Sequence, residues 1–214
     1  MNKILFVSGI DTGVGKTYAT GLLLREMAQQ GLRIISQKPV QTGCLGRSED
    51  LDVHDQLATN LHAKEEAEPY RCSYLFKYPA SPHLSAEMEQ ICIDPAKIDH
   101  DTEELLRLGY DRILMEGAGG LMVPLTRNLL TIDFVAKRNY PVALVTSGKL
   151  GSINHTILSL EALERRSIPI ERLIYNHYPK EEAPITAETI DYLKSYLAHH
   201  YPQTLWQEIA YQQS

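Results

Sequence analysis

The sequence is poor in most of the features that mark a scaffold, a membrane protein or a nucleic-acid binder. Cysteine occurs three times in 214 residues, at Cys44, Cys72 and Cys92, and no two form a C-x-x-C pair. An odd, scattered set of this kind excludes a disulfide framework and a zinc site, and all three read as plain thiols in a reducing compartment. No apolar run approaches the ~20 residues needed to span a bilayer. The stretch from Met1 to Ser8 has one lysine and a short apolar run, without the long apolar region and cleavage site of a signal peptide. A soluble, cytoplasmic protein is expected. Positive charge is in deficit, with a formal net charge of -6. That balance argues against nucleic-acid and membrane partners. It leaves room for a local anion pocket made of backbone N–H groups and a few lysines. Internal repeats, low-complexity segments and interdomain linkers are all missing, so the chain reads as a single domain over 1–214.

What is present is an alternation of strand-length apolar runs with helical patterns. Strands are predicted at Ile4–Ser8, Leu32–Ser36, Arg112–Glu116, Val142–Thr146 and Leu173–Asn176. Helices are predicted from Gly15 to about Gln30 and over Asp52–Leu61, Asp94–Leu108, Thr131–Arg138, Ile153–Arg165 and Ala187–His199. Gly31 and Gly109 are read as helix stops. This order implies an α/β fold: a doubly wound, mostly parallel sheet with helices on both faces. The tyrosine- and proline-rich Glu65–Pro82 segment receives no assignment. Tyr201–Ser214, which holds the single tryptophan, shows no strand or helix signal.

The strongest local signal is Gly9-Ile10-Asp11-Thr12-Gly13-Val14-Gly15-Lys16-Thr17, which follows a predicted strand and opens a predicted helix. Glycines let a backbone curl so that successive N–H groups face phosphate oxygens. The helix N-terminus adds its positive dipole end. In such a loop Lys16 reaches the β- and γ-phosphates and the Thr17 hydroxyl can ligate Mg²⁺. Five residues separate Gly9 from Gly15, one more than in the usual phosphate loop. The Gly-Lys-Thr end is intact, so this is a loop variant.

Glu116 ends a predicted strand on the edge where a doubly wound sheet carries its ligands, and it suits a cation that wants carboxylate oxygens. Gly117 to Gly120 then allow close backbone approach. Lys38 follows the second predicted strand, is biased toward extended geometry by Pro39, and offers a second cation to phosphate. Asp50, Asp52 and Asp55 form an acidic cluster of the sort found on solvated surfaces.

Five segments in order resemble the dethiobiotin synthetase family of deviant P-loop enzymes. These are the Gly9–Thr17 loop, Lys38-Pro39-Val40 with Thr42-Gly43, Ser81-Pro82-His83, Glu116-Gly117-Ala118-Gly119-Gly120 with Pro124-Leu125, and Leu150-Gly151-Ser152-Ile153-Asn154-His155. The resemblance implies an enzyme using ATP and Mg²⁺. Thr17, Asp55 and Glu116 would hold the metal, Asp55 by spacing. Gly13, Val14, Gly15, Lys16, Thr17, Tyr18, Glu116 and Asn176 would take the nucleotide, Asn176 at its adenine. Lys16 and Lys38 would be catalytic, facing phosphate and a substrate carbamate. Thr12, Lys38, Thr42 and Gly119 would line the diamine site. Leu150, Gly151 and Asn154 would receive the substrate carboxylate across the interface of a homodimer. The small-molecule partners implied are 7,8-diaminononanoate, CO₂ and ATP.

The chain departs from the family at two points. Gly13 stands where some members carry an acidic residue. A Gly-x-[Ile/Leu]-Pro stretch that helps enclose the base is missing after the last strand, where Gln207-Glu208-Ile209-Ala210 is the nearest match. An altered base preference is the expectation. Two rival readings share the loop. A ParA/MinD-type switch would carry a signature lysine early in the loop, and none occurs from Gly9 through Val14. A silent nucleotide-binding paralogue has no need to retain Lys16, Thr17, Lys38 and Glu116 together.

Overall fold

A computed structural model of the protein describes residues 2–59 and 65–210. Six strands form one sheet: β1 (Ile4–Gly9), β2 (Ile34–Gln37), β5 (Arg112–Gly120), β8 (Val142–Ser147), β9 (Ile170–Asn176) and β10 (Leu205–Ile209). Their order is β10-β9-β8-β1-β5-β2, and every pairing is parallel. Parallel strands put all their carboxyl ends on one edge, and the direction of winding reverses around β1. Ligands of doubly wound sheets bind at that edge.

Side chains alternate across a strand with period two. Leu5 and Val7 of β1 therefore join one core with Leu114 and Val145, covered by Ala19, Leu23, Leu24 and Met27 of α1 (Lys16–Gln29). Phe6 joins the opposite core with Ile113, Met115 and Leu144. That side is covered by α5 (Pro95–Arg107), α6 (Thr131–Lys137) and α7 (Ser152–Glu164) through Ile98, Leu105, Ile132, Val135, Leu160 and Leu163. Each such side chain removed from water contributes roughly 1.5–3 kcal/mol. The sheet is thus covered on both faces, as its long apolar strands require. Helix α8 (Ala183–His200) completes the set of longer helices. Among the described residues no helix is long and apolar enough to cross a membrane.

Three regions differ from the sequence expectation. The helix placed at Asp52–Leu61 is α2 (Glu49–Leu57), opened by Ser48, whose side chain accepts from Leu51 N at 3.3 Å. Its expected end at Leu61 lies outside the described residues. The tail without a signal forms β10, which pairs Leu205–Ile209 with Arg172–Asn176 of β9. The unassigned 65–82 stretch holds a short 3-10 turn, α3 (Glu68–Arg71) and β4 (Tyr74–Phe76), ahead of α4 (Pro82–Met88). Strand β4 pairs in parallel with β3 (Val40–Thr42). After β5 runs on through its glycines, β6 (Pro124–Thr126) and β7 (Leu129–Leu130) make a small antiparallel ribbon.

Candidate active site

The site starts at the end of β1. The 10–15 loop turns back on itself, with Gly13 at φ 73° and Gly15 at φ 98°, a region that favours glycine. Gly15 has a second reason to be glycine, since a Cβ there would sit 2.2 Å from Asn176 Nδ2. Asn176, the last residue of β9, donates that amide to the Val14 carbonyl at 3.0 Å. The loop is thereby tied to the neighbouring strand end. Lys16 opens α1 and donates to the Asp11 carbonyl at 3.1 Å, lying across its own loop. Burial, reinforced by the charge of Lys38, pushes the Lys16 ammonium down to about 8.

Lys38 and Glu116 are neighbours by sheet register. Gln37 pairs with Met115, so the residues that follow them, Lys38 and Glu116, come side by side. Lys38 Nζ lies 2.7 Å from Glu116 Oε1, 3.1 Å from the Gly117 carbonyl and 2.7 Å from Asp50 Oδ2. Thr17 Oγ1 stands 3.0 Å from Asp50 Oδ1 and 3.2 Å from Glu116 Oε1. Glu116 Oε2 accepts from Thr20 Oγ1 at 3.0 Å and meets His54 Nε2 at 2.8 Å. Burial alone would raise the Glu116 carboxyl. The Lys38 charge and the His54 hydrogen bond outweigh it and hold the group well below the usual carboxylate range. Lys38 shows the mirror effect: burial opposes its charge, but Glu116 and Asp50 keep the ammonium above its ordinary value.

Thr12, Gly13, Gly15, Lys16, Thr17, Lys38, Thr42, Glu116 and Gly119 all line one cleft of about 350 Å³, joined there by Asp50. A neighbouring cleft of about 620 Å³ shares Thr12 and is walled by Leu121, Met122, Pro124 and Leu158. Val14 is buried beneath the loop, and Tyr18 is half-buried against the core that covers α1. Leu150, Gly151 and Asn154 are not brought into the cleft of their own chain. They sit exposed at and beside the start of α7, with Leu150 86% exposed.

Asp55 is not beside Thr17 and Glu116. It pairs with Arg71 instead, at 2.7 and 2.8 Å. Residues five apart on a helix lie about 140° apart around its axis, so Asp50 and Asp55 leave α2 on different faces. The Asp50 face looks at the cleft. The Asp55 face supplies a counter-charge to Arg71, a guanidinium only 1% exposed that also donates to Ser36. Sequence reasoning missed Asp50, His54 and Thr20. The signal for Thr20 is its i+4 spacing from Lys16, and for Asp50 the Ser48 cap, which starts the helix earlier.

The donor set suits Mg²⁺, a hard cation that takes oxygen ligands and keeps water and phosphate in its shell. Two carboxylates, Asp50 and Glu116, converge on one hydroxyl, Thr17. Among the described residues no three His, Cys, Asp or Glu side chains form a metal cage. A cation held here would therefore complete its shell from solvent and phosphate.

Solved structures share the architecture. The cell division protein FtsY from Thermotoga maritima superposes with a TM-score of 0.58 at 13% identity, over 96% of this chain and 60% of that one. A putative plasmid partition protein from Borrelia burgdorferi, bound to AMPPNP, gives 0.56 at 13% identity over 100% of this chain and 86% of that one. A glycine loop at the end of β1, two lysines and convergent carboxylates on the carboxyl edge of such a sheet define a P-loop nucleotide-using enzyme. The model of an AAA domain family matches residues 3–200. Proteins named ATP-dependent dethiobiotin synthetase BioD 2 are 45% identical in Pasteurella multocida, over 97% of both chains, and 48% identical in Haemophilus ducreyi, over 95% of this chain and 96% of that one. ATP-dependent dethiobiotin synthetase BioD of Chlorobaculum tepidum is 46% identical over 92% of this chain and 82% of its own. The chain belongs to the dethiobiotin synthetase family, whose members are ATP-dependent ligases of biotin synthesis.

Proposed function

We propose that this cleft closes a cyclic urea on 7,8-diaminononanoate with CO₂ and ATP, giving dethiobiotin, ADP and phosphate. The observation that carries the reading is the convergence of Lys16, Lys38, Thr17, Asp50 and Glu116 in one cleft. One substrate amine adds to CO₂ and loses a proton to give a carbamate. A carbamate oxygen then attacks the γ-phosphorus and ADP leaves. The second amine attacks the carbonyl carbon of the mixed anhydride, the C–O bond to phosphate breaks, and the ring closes. Chemistry of this kind needs positioning and charge neutralisation rather than a protein nucleophile. Lys16 and the loop N–H groups hold the β- and γ-phosphates, and Lys38 receives the carbamate. Thr17, Asp50 and Glu116 would hold Mg²⁺, which when bound neutralises charge on the phosphate oxygens. Good geometry for amine, CO₂ and phosphate together is worth roughly 7–11 kcal/mol.

The apolar cleft beside Thr12 suits the hydrocarbon chain of the substrate. A homodimer is proposed on the exposed Leu150, Leu158 and Met122, which surround that cleft and the start of α7. The backbone N–H groups at the start of α7 would take the carboxylate from a partner subunit. The test is phosphate release from ATP, Mg²⁺ and bicarbonate with and without the diamine, with product mass recorded. Diamine-dependent release with a dethiobiotin mass is expected. Nucleotide binding without diamine-dependent turnover would overturn the reading. CTP and GTP in the same assay read the base preference.

Asp50 and Asp55 of α2 are expected to separate cleanly. Asp50→Asn lowers the Mg²⁺-dependent part of nucleotide affinity about 10–100-fold with little change in melting temperature. Asp55→Asn leaves turnover intact and removes about 1–3 kcal/mol of stability by weakening the Arg71 pair. Activity loss confined to Asp55→Asn would reverse the assignment.

A further inference from the structure

Glu116 has two partners on each of its oxygens, and the two pairs differ in kind. Oε1 meets Lys38 and Thr17, which line the cleft. Among the described residues Oε2 meets only Thr20, at 3.0 Å, and His54, at 2.8 Å, both fully buried and neither lining the cleft. Oε1 is thus the oxygen that faces a ligand, and Oε2 is the one the protein grips.

Among the described residues the His54 side chain has no other polar partner: its Nδ1 is buried and meets none, so the imidazole serves no wider core network there. A carboxylate oxygen only accepts, so in this contact Nε2 carries the proton and donates to Glu116. Leucine would fill the same space without stranding a polar atom in the core. His54 also lies one helical turn after Asp50, and residues four apart share a helix face. The same face of α2 therefore delivers the Asp50 carboxylate to Thr17 and the His54 ring to Glu116.

We infer that His54 is a positioning residue. With Thr20 it clamps Oε2 so that Oε1 is presented to the cleft, and through α2 it ties the orientation of Glu116 to the placement of Asp50. This rests on the reading of Thr17, Asp50 and Glu116 as the cation-holding set. Groups that orient ligating carboxylates are typically worth about 10–100-fold in metal affinity.

The experiment measures binding of a fluorescent ATP analogue with and without Mg²⁺. The ratio of the two affinities isolates the metal's share. His54→Leu is expected to cut that ratio about tenfold while leaving metal-free binding unchanged, and His54→Gln, which keeps an N–H donor at similar reach, to stay within about threefold of the parent. Glu116→Gln should abolish the enhancement. If Glu116→Gln loses the enhancement but His54→Leu retains it, His54 only fills space and the inference fails. A loss in His54→Gln equal to that in His54→Leu overturns the donor role. If Glu116→Gln itself retains the enhancement, the cation-site reading falls first and takes the inference with it. Should His54→Leu not fold, Thr20→Val removes the other Oε2 partner and is expected to give the same loss; an unchanged ratio there overturns the clamp.

Discussion

Lys16→Met yields a more stable empty protein that no longer holds nucleotide. The fold pushes the Lys16 ammonium from 10.5 to about 8, through burial first and the nearby Lys38 charge second. Below pH 8 the group is charged in both folded and unfolded chains, and the fold carries the cost of that buried charge. Between pH 8 and 10.5 the unfolded chain keeps a proton that the folded chain has lost, so stability rises with pH. Methionine has a similar length and no charge. The substitution should therefore add about 1–3 kcal/mol at pH 7, as an order of magnitude, and remove the rise above pH 8. The lost hydrogen bond to the Asp11 carbonyl, at 3.1 Å, works against part of that gain. Nucleotide affinity and turnover should fall roughly 100-fold or more, because the cation proposed to meet the phosphates is gone. Urea unfolding at pH 7 and pH 10 reads the first effect, and titration with a fluorescent nucleotide reads the second. A variant less stable than the parent at pH 7 would sink the argument.

Lys38→Met acts in the opposite sense on stability. Glu116 is 1% exposed and Lys38 5%, whereas Asp50 at 24% can turn toward water. Without Lys38 the Glu116 carboxylate keeps hydrogen bonds but loses its adjacent cation. Breaking a buried pair from one side removes about 3–5 kcal/mol. The sign with pH follows from Glu116. In the parent its carboxyl is held low, so its contribution is present above the ordinary carboxylate value of 4.5 and is lost in acid. In the variant burial dominates and raises it, so the penalty is present at neutral pH and fades as the carboxyl protonates. The gap between parent and variant should be widest near pH 7 and narrow toward pH 4. Turnover should fall by about 100–1,000-fold if Lys38 receives the carbamate as proposed. Denaturation across that pH range, with rates at pH 7, checks both. A gap that widens in acid would contradict the pairing.

The phosphate loop was legible because its physics is local. Strand, glycines, Gly-Lys-Thr and helix lie within a dozen or so residues, and neighbours in sequence build the anion site without help. Lys38 and Glu116 were legible as strand-end residues, and sheet register then made them partners. Leu205–Ile209 was not legible. Its side chains are mostly half-exposed or exposed, and it becomes a strand because β9 offers it an unpaired edge. Arg71 was equally hidden, since a buried guanidinium depends on Asp55, Glu68 and Ser36 arriving from different places.

The sequence by itself determined a parallel α/β domain, a phosphate loop at its first strand, and a family of ligases that use ATP. Those conclusions rest on periodicity and on contiguous motifs, which survive without coordinates. Only the tertiary structure decided which aspartate of α2 faces the cleft and which buried groups hold Glu116. Rotation about a helix axis carries residues five apart to different faces, so a start of the helix at Glu49 rather than Asp52, and its docking against α1, choose Asp50 over Asp55. The same docking brings His54 within 2.8 Å of a carboxylate sixty-two residues away.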